Sequence, residues 1–269
     1  WYFGDAVFII EPLLWITLGG FVALRVRSRI VRVGLPVLVL CAYAFGHRVE
    51  MVGPLALCAA AMVAGLLFLG RGLTRKHSRM FAAWTAGLAA VLIGSFFVAS
   101  HKASERVRDV LAPQGTRIFD VVMEASPSNP FCWSFLTVEQ ADERYLTRAG
   151  RVSLLPEVVP LSSCPRRKKD FPLVETAQVD GAMEFALDGE FSRPLAEVRA
   201  LVAGDCQLQA WARFVRVPVF EGNVASDLRY VRGGGGFSST EFGSASSVRT
   251  PCPARVPSWG FPRGDVFGL

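Results

Sequence analysis

Six side chains able to ligate a metal or move a proton sit at the edges of apolar stretches in the first 105 residues: Asp5, Glu11, His47, Glu50, His101 and Glu105. Imidazole with carboxylate is a normal ligand set for a hydrolytic zinc ion, which activates water by lowering its pKa. Glu11 is the least ordinary of them. It lies within Phe8-Ile9-Ile10-Glu11-Pro12-Leu13-Leu14-Trp15, and an ionisable group held near a membrane is costly unless paired. The bland alternative is that all six are polar groups at helix ends. A second set comes later in the chain: Asn129, Trp133, Trp211, Arg213, Asp227, Arg229 and Tyr230. Asn129-Pro130 followed by Trp133 suits a capped turn with a core indole. Arg213 and Asp227–Tyr230 fall on neighbouring predicted strands, where an Arg–Asp pair could bridge a sheet, most simply as a buried structural pair. The sequence has no G-x-S-x-G elbow, no H-E-x-x-H and no Walker A motif. Gly233–Gly236 lacks the Lys-Ser or Lys-Thr and the helix that a phosphate loop needs, and reads as a flexible hairpin loop.

The elements that must position these residues begin with four apolar stretches, roughly Ala6–Leu24, Ile30–Gly46, Val52–Gly70 and Met80–Ser100. Each approaches the ~17–25 residues a helix needs to span a bilayer. The connections between them alternate in basic density. Arg25, Arg27, Arg29 and Arg32 lie in the first and Arg71, Arg75, Lys76 and Arg79 in the third, whereas the second carries only Arg48 beside His47 and Glu50. Basic loops stay in the cytoplasm, so Trp1 and everything after about His101 are expected outside, with His77 inside. A three-histidine site is thereby excluded. The net charge of +6 resembles that of a nucleic-acid binder, yet residues 101–269 carry equal numbers of acidic and basic groups. The excess belongs to the membrane connections, and no nucleic-acid partner is expected.

The expected architecture is a polytopic α-helical membrane domain of four transmembrane helices (1–100), then an amphipathic linker helix (101–116), a small α+β, β-rich extracytoplasmic domain (117–242) and an irregular Pro-rich tail (243–269). Strands are expected at Ile118–Glu124 and Phe131–Val138, parted by the turn residues Ser126-Pro127-Ser128-Asn129-Pro130. Arg144–Leu155, with Gly150 in its middle, reads as a hairpin and Pro156–Pro172 as a loop. The run Arg166-Arg167-Lys168-Lys169 is either a solvated loop or a contact with anionic lipid headgroups. Helices are expected at Gly181–Leu187 and Pro194–Val202, and strands at Cys206–Val217 and Ala225–Val231. Cys41 and Cys58 fall inside spans. Cys132, Cys164, Cys206 and Cys252 fall in the outer domain, where disulfides persist, and their spacing leaves four thiols or two bridges open. The chain opens at Trp1 and enters the first span almost at once, which reads as the C-terminal piece of a longer protein.

Trp1-Tyr2-Phe3-Gly4-Asp5, with Phe8-Ile9-Ile10-Glu11-Pro12 and Trp15, resembles the membrane-bound metal-dependent hydrolases of the YdjM/YbcI type, bacterial inner-membrane proteins also described as LexA-regulated hydrolases. Ser128-Asn129-Pro130-Phe131-Cys132-Trp133, Trp211-Ala212-Arg213-Phe214 and Asp227-Leu228-Arg229-Tyr230 look like outer-domain landmarks of the longer members. Each motif is short, and the resemblance covers about residues 1–242. It implies a divalent metal such as zinc, and hydrolysis of an ester or phosphoester bond in a small-molecule or lipid-like substrate at the membrane surface. It places the family's metal motifs upstream of Trp1, and the family usually has Asp where Glu11 stands. Asp5 matches the family pattern and Glu11 keeps its carboxylate, so these two are the expected catalytic groups; His47 and His101 stand behind them as metal ligands on the strength of the interfacial cluster, not of the resemblance. The rival expectation is a non-catalytic, membrane-anchored module presenting a β-rich binding domain, with Trp133, Arg213 and Tyr230 lining an accessible groove. Both place the chain in the bilayer of a bacterial inner membrane as a multi-pass protein.

Overall fold

The computed structural model describes residues 11–26, 28–48, 53–73, 77–166, 173–178, 183–231, 238–243 and 263–267. Asp5, Glu50, residues 167–169, the four glycines at 233–236 and most of the Pro-rich tail lie outside the described residues.

Helix α1 (Pro12–Arg25) starts where Glu11 caps it by accepting from Leu13 N, with Pro12, whose missing N–H costs nothing in a first turn, at its first position, and it contains a π-helical turn at Trp15–Gly19. Three helices are long and apolar enough to cross a membrane: α2 (Arg29–Arg48), α3 (Pro54–Leu73) and α4 (Ser78–Leu111). In its described part α1 is shorter, so three candidate spans are seen where four were expected. Ile30, Leu40, Phe45, Phe68 and Val91 are all exposed on the long helices, as lipid-facing side chains would be. The helices run up and down. Arg25, at the end of α1, donates to the Ser78 carbonyl at the start of α4 (3.1 Å), and Arg71 of α3 sits over the Phe81 ring of α4. The basic helix ends thus share one end of the bundle.

No break separates the last span from the expected linker helix. Helix α4 continues for 34 residues, about 50 Å at 1.5 Å per residue against a hydrocarbon core of ~30 Å. Residues 100–106 contain neither Gly nor Pro, so nothing interrupts it. It ends where sequence placed the stop, in a 3₁₀ turn at Ala112–Gln114 with Gly115 left-handed at φ 71°. Ala99, Ala103, Val107 and Leu111, four residues apart, form its buried stripe.

That stripe packs on a four-stranded antiparallel meander of β1 (Arg117–Ser126), β2 (Asn129–Ala141), β3 (Arg144–Ser153) and β4 (Phe185–Pro194). Val121, Met123, Trp133, Phe135, Val152, Phe185 and Leu187 line the α4 side. Val122, Leu136, Val138, Tyr145 and Phe191 line the other side, as period-2 alternation requires. This second face is covered by α5 (Leu195–Gly204), α6 (Cys206–Ala212) and a smaller antiparallel sheet of β5 (Pro218–Glu221), β6 (Val224–Asp227) and β7 (Ser239–Glu241), with the short α7 (Gly264–Phe267) beside them.

Three expectations are corrected. Arg144–Leu155 holds one strand, Arg144–Ser153, and not a hairpin. Gly150 sits at a register shift, where a side chain would strike the Ala186 carbonyl and the Phe135 ring. Where a helix was expected at Gly181–Leu187, Phe185–Leu187 instead opens β4, whose alternating Phe185 and Leu187 reach the core that an isolated turn of helix would not; Gly181 and Ala182 lie outside the described residues. Cys206–Val217 opens as helix α6 rather than a strand, because Asp205 caps it, accepting from Gln207 N (2.9 Å) and Leu208 N (3.0 Å).

Candidate functional site

The tip of the β1–β2 hairpin is the most unusual place in the fold. Ser126, Pro127, Ser128 and Asn129 are all buried, although connecting turns almost always run over the surface. The tip is seated in the mouth of the helix bundle, at the end opposite the basic connections. A buried turn must find partners for its polar groups, and Glu11 and Tyr43 supply them. The Glu11 carboxylate accepts the Ser128 backbone N–H (3.1 and 3.3 Å to its two oxygens), the Ser128 hydroxyl (3.3 Å) and the Leu13 N–H (3.2 Å). The Tyr43 hydroxyl of α2 lies 2.6 Å from Ser128 Oγ. Ser128 adopts φ 56°, a left-handed conformation uncommon for a residue other than glycine. One carboxylate therefore starts α1 and receives the hairpin tip, 117 residues away in sequence.

The flanks of the tip are fixed as well. Asn129 Oδ1 accepts from Phe131 N (3.0 Å), and Trp133, fully buried, donates its indole N–H to the Pro130 carbonyl (2.8 Å) and meets Phe96 of α4 edge-on at 6.3 Å. A disulfide joins Cys132 to Cys164 across a separation of 32 residues, and Leu55 at the start of α3 packs beside it. Cys206 is disulfide-bonded too, while Cys41 and Cys58 on the long helices are free.

Among the described residues, the predicted site residues are not gathered in one place. Glu11 is buried at the joint and Asp5 lies outside the described residues. His101 is exposed and pairs with Glu105 on its own helix (3.2 Å), and His47 is exposed near the end of α2. Among the described residues no three His, Cys, Asp or Glu side chains are grouped to hold a metal. Asn129 and Trp133 form the capped turn and core indole, so Trp133 lines no accessible groove.

The later residues belong to a second cluster on the far face of the sheet. The expected Arg213–Asp227 bridge is replaced: Arg213 follows α6 rather than lying on a strand, and Asp227 pairs with Arg229 (2.7 Å) and accepts from the backbone N–H of Arg216 (3.0 Å). Burial alone would lower the Arg229 pKa. The hydrogen bonds and charge of Asp227 outweigh it and hold the guanidinium above its ordinary value. Arg229 also stacks on the ring of Tyr230, 4.8 Å away, and Tyr230 is partly exposed. The Arg216 side chain forks onto Asp120 of β1 (2.9 and 3.2 Å), and the fully buried Arg263 approaches the same carboxylate at 3.6 Å. On the α4 side, Glu139 pairs with Arg148 at 3.5 Å and accepts from Thr116 and Thr137.

Ser128, Tyr43, Asp120, Arg216 and Arg263 escaped the sequence reading. Asp120 had a signal, as the one charge in Ile118-Phe119-Asp120-Val121-Val122. A charge amid apolar strand residues asks for a buried partner. The partners themselves lie 96 and more residues away.

The chain matches no family model, no curated protein and no solved structure.

Proposed function

We propose that this protein is a membrane-anchored module that holds a disulfide-bonded β-sheet domain in a fixed orientation on the non-cytoplasmic face of a bacterial inner membrane, for binding rather than turnover. The observation that carries this reading is the buried joint: a hairpin tip plugged into the helix bundle and held by Glu11 and Tyr43. A tether would serve to keep a domain near a membrane. A buried joint, together with a helix continuous from span to sheet, serves to set its direction. Sidedness is supported by the basic helix ends opposite the domain and by disulfides confined to the domain. On this reading α1 belongs to the fourth span, the one expected at Ala6–Leu24. The buried ionisable groups of the domain are engaged with one another in the Asp120–Arg216–Arg263, Asp227–Arg229 and Glu139–Arg148 sets, as in a scaffold.

The hydrolase reading rests on its short motifs, with Asp5, Glu11, His47 and His101 as the residues that would serve it. One measurement tests the orientation and a second separates the readings. A membrane-impermeant maleimide applied to intact cells should label Glu221→Cys, on the exposed β5–β6 turn. Labelling only after lysis refutes the orientation. Elemental analysis of the detergent-purified chain is expected to find no stoichiometric metal. One zinc per chain, lost in His47→Ala and His101→Ala, would instead favour the hydrolase.

A further inference from the structure

The end of the sheet nearest the helices carries an apolar rim. Strand β2 passes there at Cys132, opposite Ser153 where β3 ends, and β4 begins there at Phe185. From this end project Leu155 (44 % exposed), Val158 (69 %) and Met183 (84 %). Leu154–Cys164 carries one charge, Glu157, in a domain that is otherwise densely charged. The loop is held in shape. Ser153 Oγ donates to the Val159 carbonyl (2.6 Å), Val159 N donates to the Leu155 carbonyl (2.7 Å), Arg151 reaches the Cys164 carbonyl (3.1 Å), and the Cys132–Cys164 disulfide closes it. Its two outward apolar side chains are thus fixed in place, with their burial blocked by the pinned backbone.

The depth of this rim can be read from the helices it touches. Leu55, in the first turn of α3, packs with Cys132, Val159 and Cys164, so the loop lies level with the start of a span. Phe96, in the last turns of the apolar part of α4, meets Trp133 of β2, so this end of the sheet lies beside the upper end of that span. Met183 precedes Glu184, which pairs with Arg106 of α4. Arg106 stands about 9 Å along the helix from Ser100, within or just above a headgroup layer some 5–8 Å deep.

We propose that Leu155 and Val158 seat in the headgroup–acyl boundary of the outer leaflet and that Met183 reaches the headgroup layer above them, making the domain's lower rim a lipid-contacting surface. The occupant is phospholipid, because the rim continues the lipid-facing surface of α3 and α4 at the depth where that surface meets water. This inference rests on the membrane-anchored reading above, and its test separates the two.

Nitroxide labels are placed singly, through Val158→Cys, Met183→Cys, Met62→Cys and Glu221→Cys, in the full chain with Cys41 and Cys58 replaced by Ala. The protein is held in nanodiscs of phosphatidylethanolamine and phosphatidylglycerol. Met62 is exposed on the middle of α3, and Glu221 on a turn of the small sheet. Power saturation then compares collisions with oxygen, which concentrates in lipid, and with a water-soluble nickel chelate. The oxygen-to-nickel ratio at Val158 and Met183 is expected several-fold above that at Glu221 and below that at Met62. Ratios at Val158 and Met183 equal to Glu221, with Met62 high, overturn the lipid contact and leave the anchor standing. A Met62 ratio equal to Glu221 overturns both. Collisions suppressed with both reagents at Val158 mean that protein covers the rim, which also overturns the proposal.

Discussion

Replacing Glu11 with alanine isolates the joint between helices and sheet. The wild-type carboxylate satisfies two buried backbone donors, Ser128 N and Leu13 N, and one hydroxyl. Leaving the Ser128 N–H buried without an acceptor costs about 1–3 kcal/mol, and losing the cap at Leu13 costs ~1 kcal/mol. Together these weaken the closed joint by about 2–4 kcal/mol, an appreciable part of the ~5–15 kcal/mol that holds a domain folded. Hydrogen exchange in nanodiscs reads this locally, since the Ser128 amide exchanges when the hairpin tip leaves the bundle. At ~1.4 kcal/mol per decade, the peptide spanning 124–131 should exchange about 30- to 700-fold faster in Glu11→Ala. Peptides from β5 and β6 should not change. Glu11→Gln keeps one acceptor oxygen and should fall between the two. Exchange in Glu11→Ala within about threefold of wild type, a difference of ~0.7 kcal/mol, would refute the claim that this carboxylate secures the joint.

Other consequences follow from the same packing. Asp120→Ala leaves Arg216 and Arg263 without their shared carboxylate. It should cost about 3–5 kcal/mol, seen as a lower denaturant midpoint, whereas a shift below ~1 kcal/mol would mean that water reaches the cluster. Replacing Cys132 and Cys164 together by Ser opens a 32-residue loop and should destabilise the domain by about 3–4 kcal/mol on the chain-entropy account. The reduced wild type should unfold at the same midpoint as that variant if this bridge dominates. The Glu184 carboxyl is held below its ordinary value of 4.5, chiefly by a hydrogen bond from its own backbone N–H; burial opposes this, and the bond and charge of Arg106 add to the lowering. Its stabilisation is therefore complete above pH 4.5 and lost as pH falls through the lowered value. Glu184→Gln should flatten the acid limb of a stability–pH curve, and an unchanged limb would remove this group from the account.

Much of the architecture was legible in the chain because its causes are local. Apolar runs of bilayer length specify the long helices, and the basic residues between them mark one end of the bundle. Ser126–Pro130 announces a turn, and Asn129 with Trp133 a cap and a core indole. Local signals also misled. The apolar residues between Cys206 and Val217 suit either period, and the Asp205 cap decided for helix. Phe185 and Leu187 became strand because their alternate side chains had a sheet face to join. The joint itself was not legible, since Glu11 could be seen to need a partner but not which one. Nothing near it in sequence names Ser128 or Tyr43, and the pairing exists only where the hairpin tip enters the bundle. The same holds for Asp120, whose charge asks for a cation that folding delivers from Arg216 and Arg263. Sequence by itself therefore determined which segments are helix-forming and apolar, and which charges would be expensive to bury. Tertiary structure alone decided their partners, because desolvation is a property of one residue's surroundings while its compensation requires two distant residues to meet.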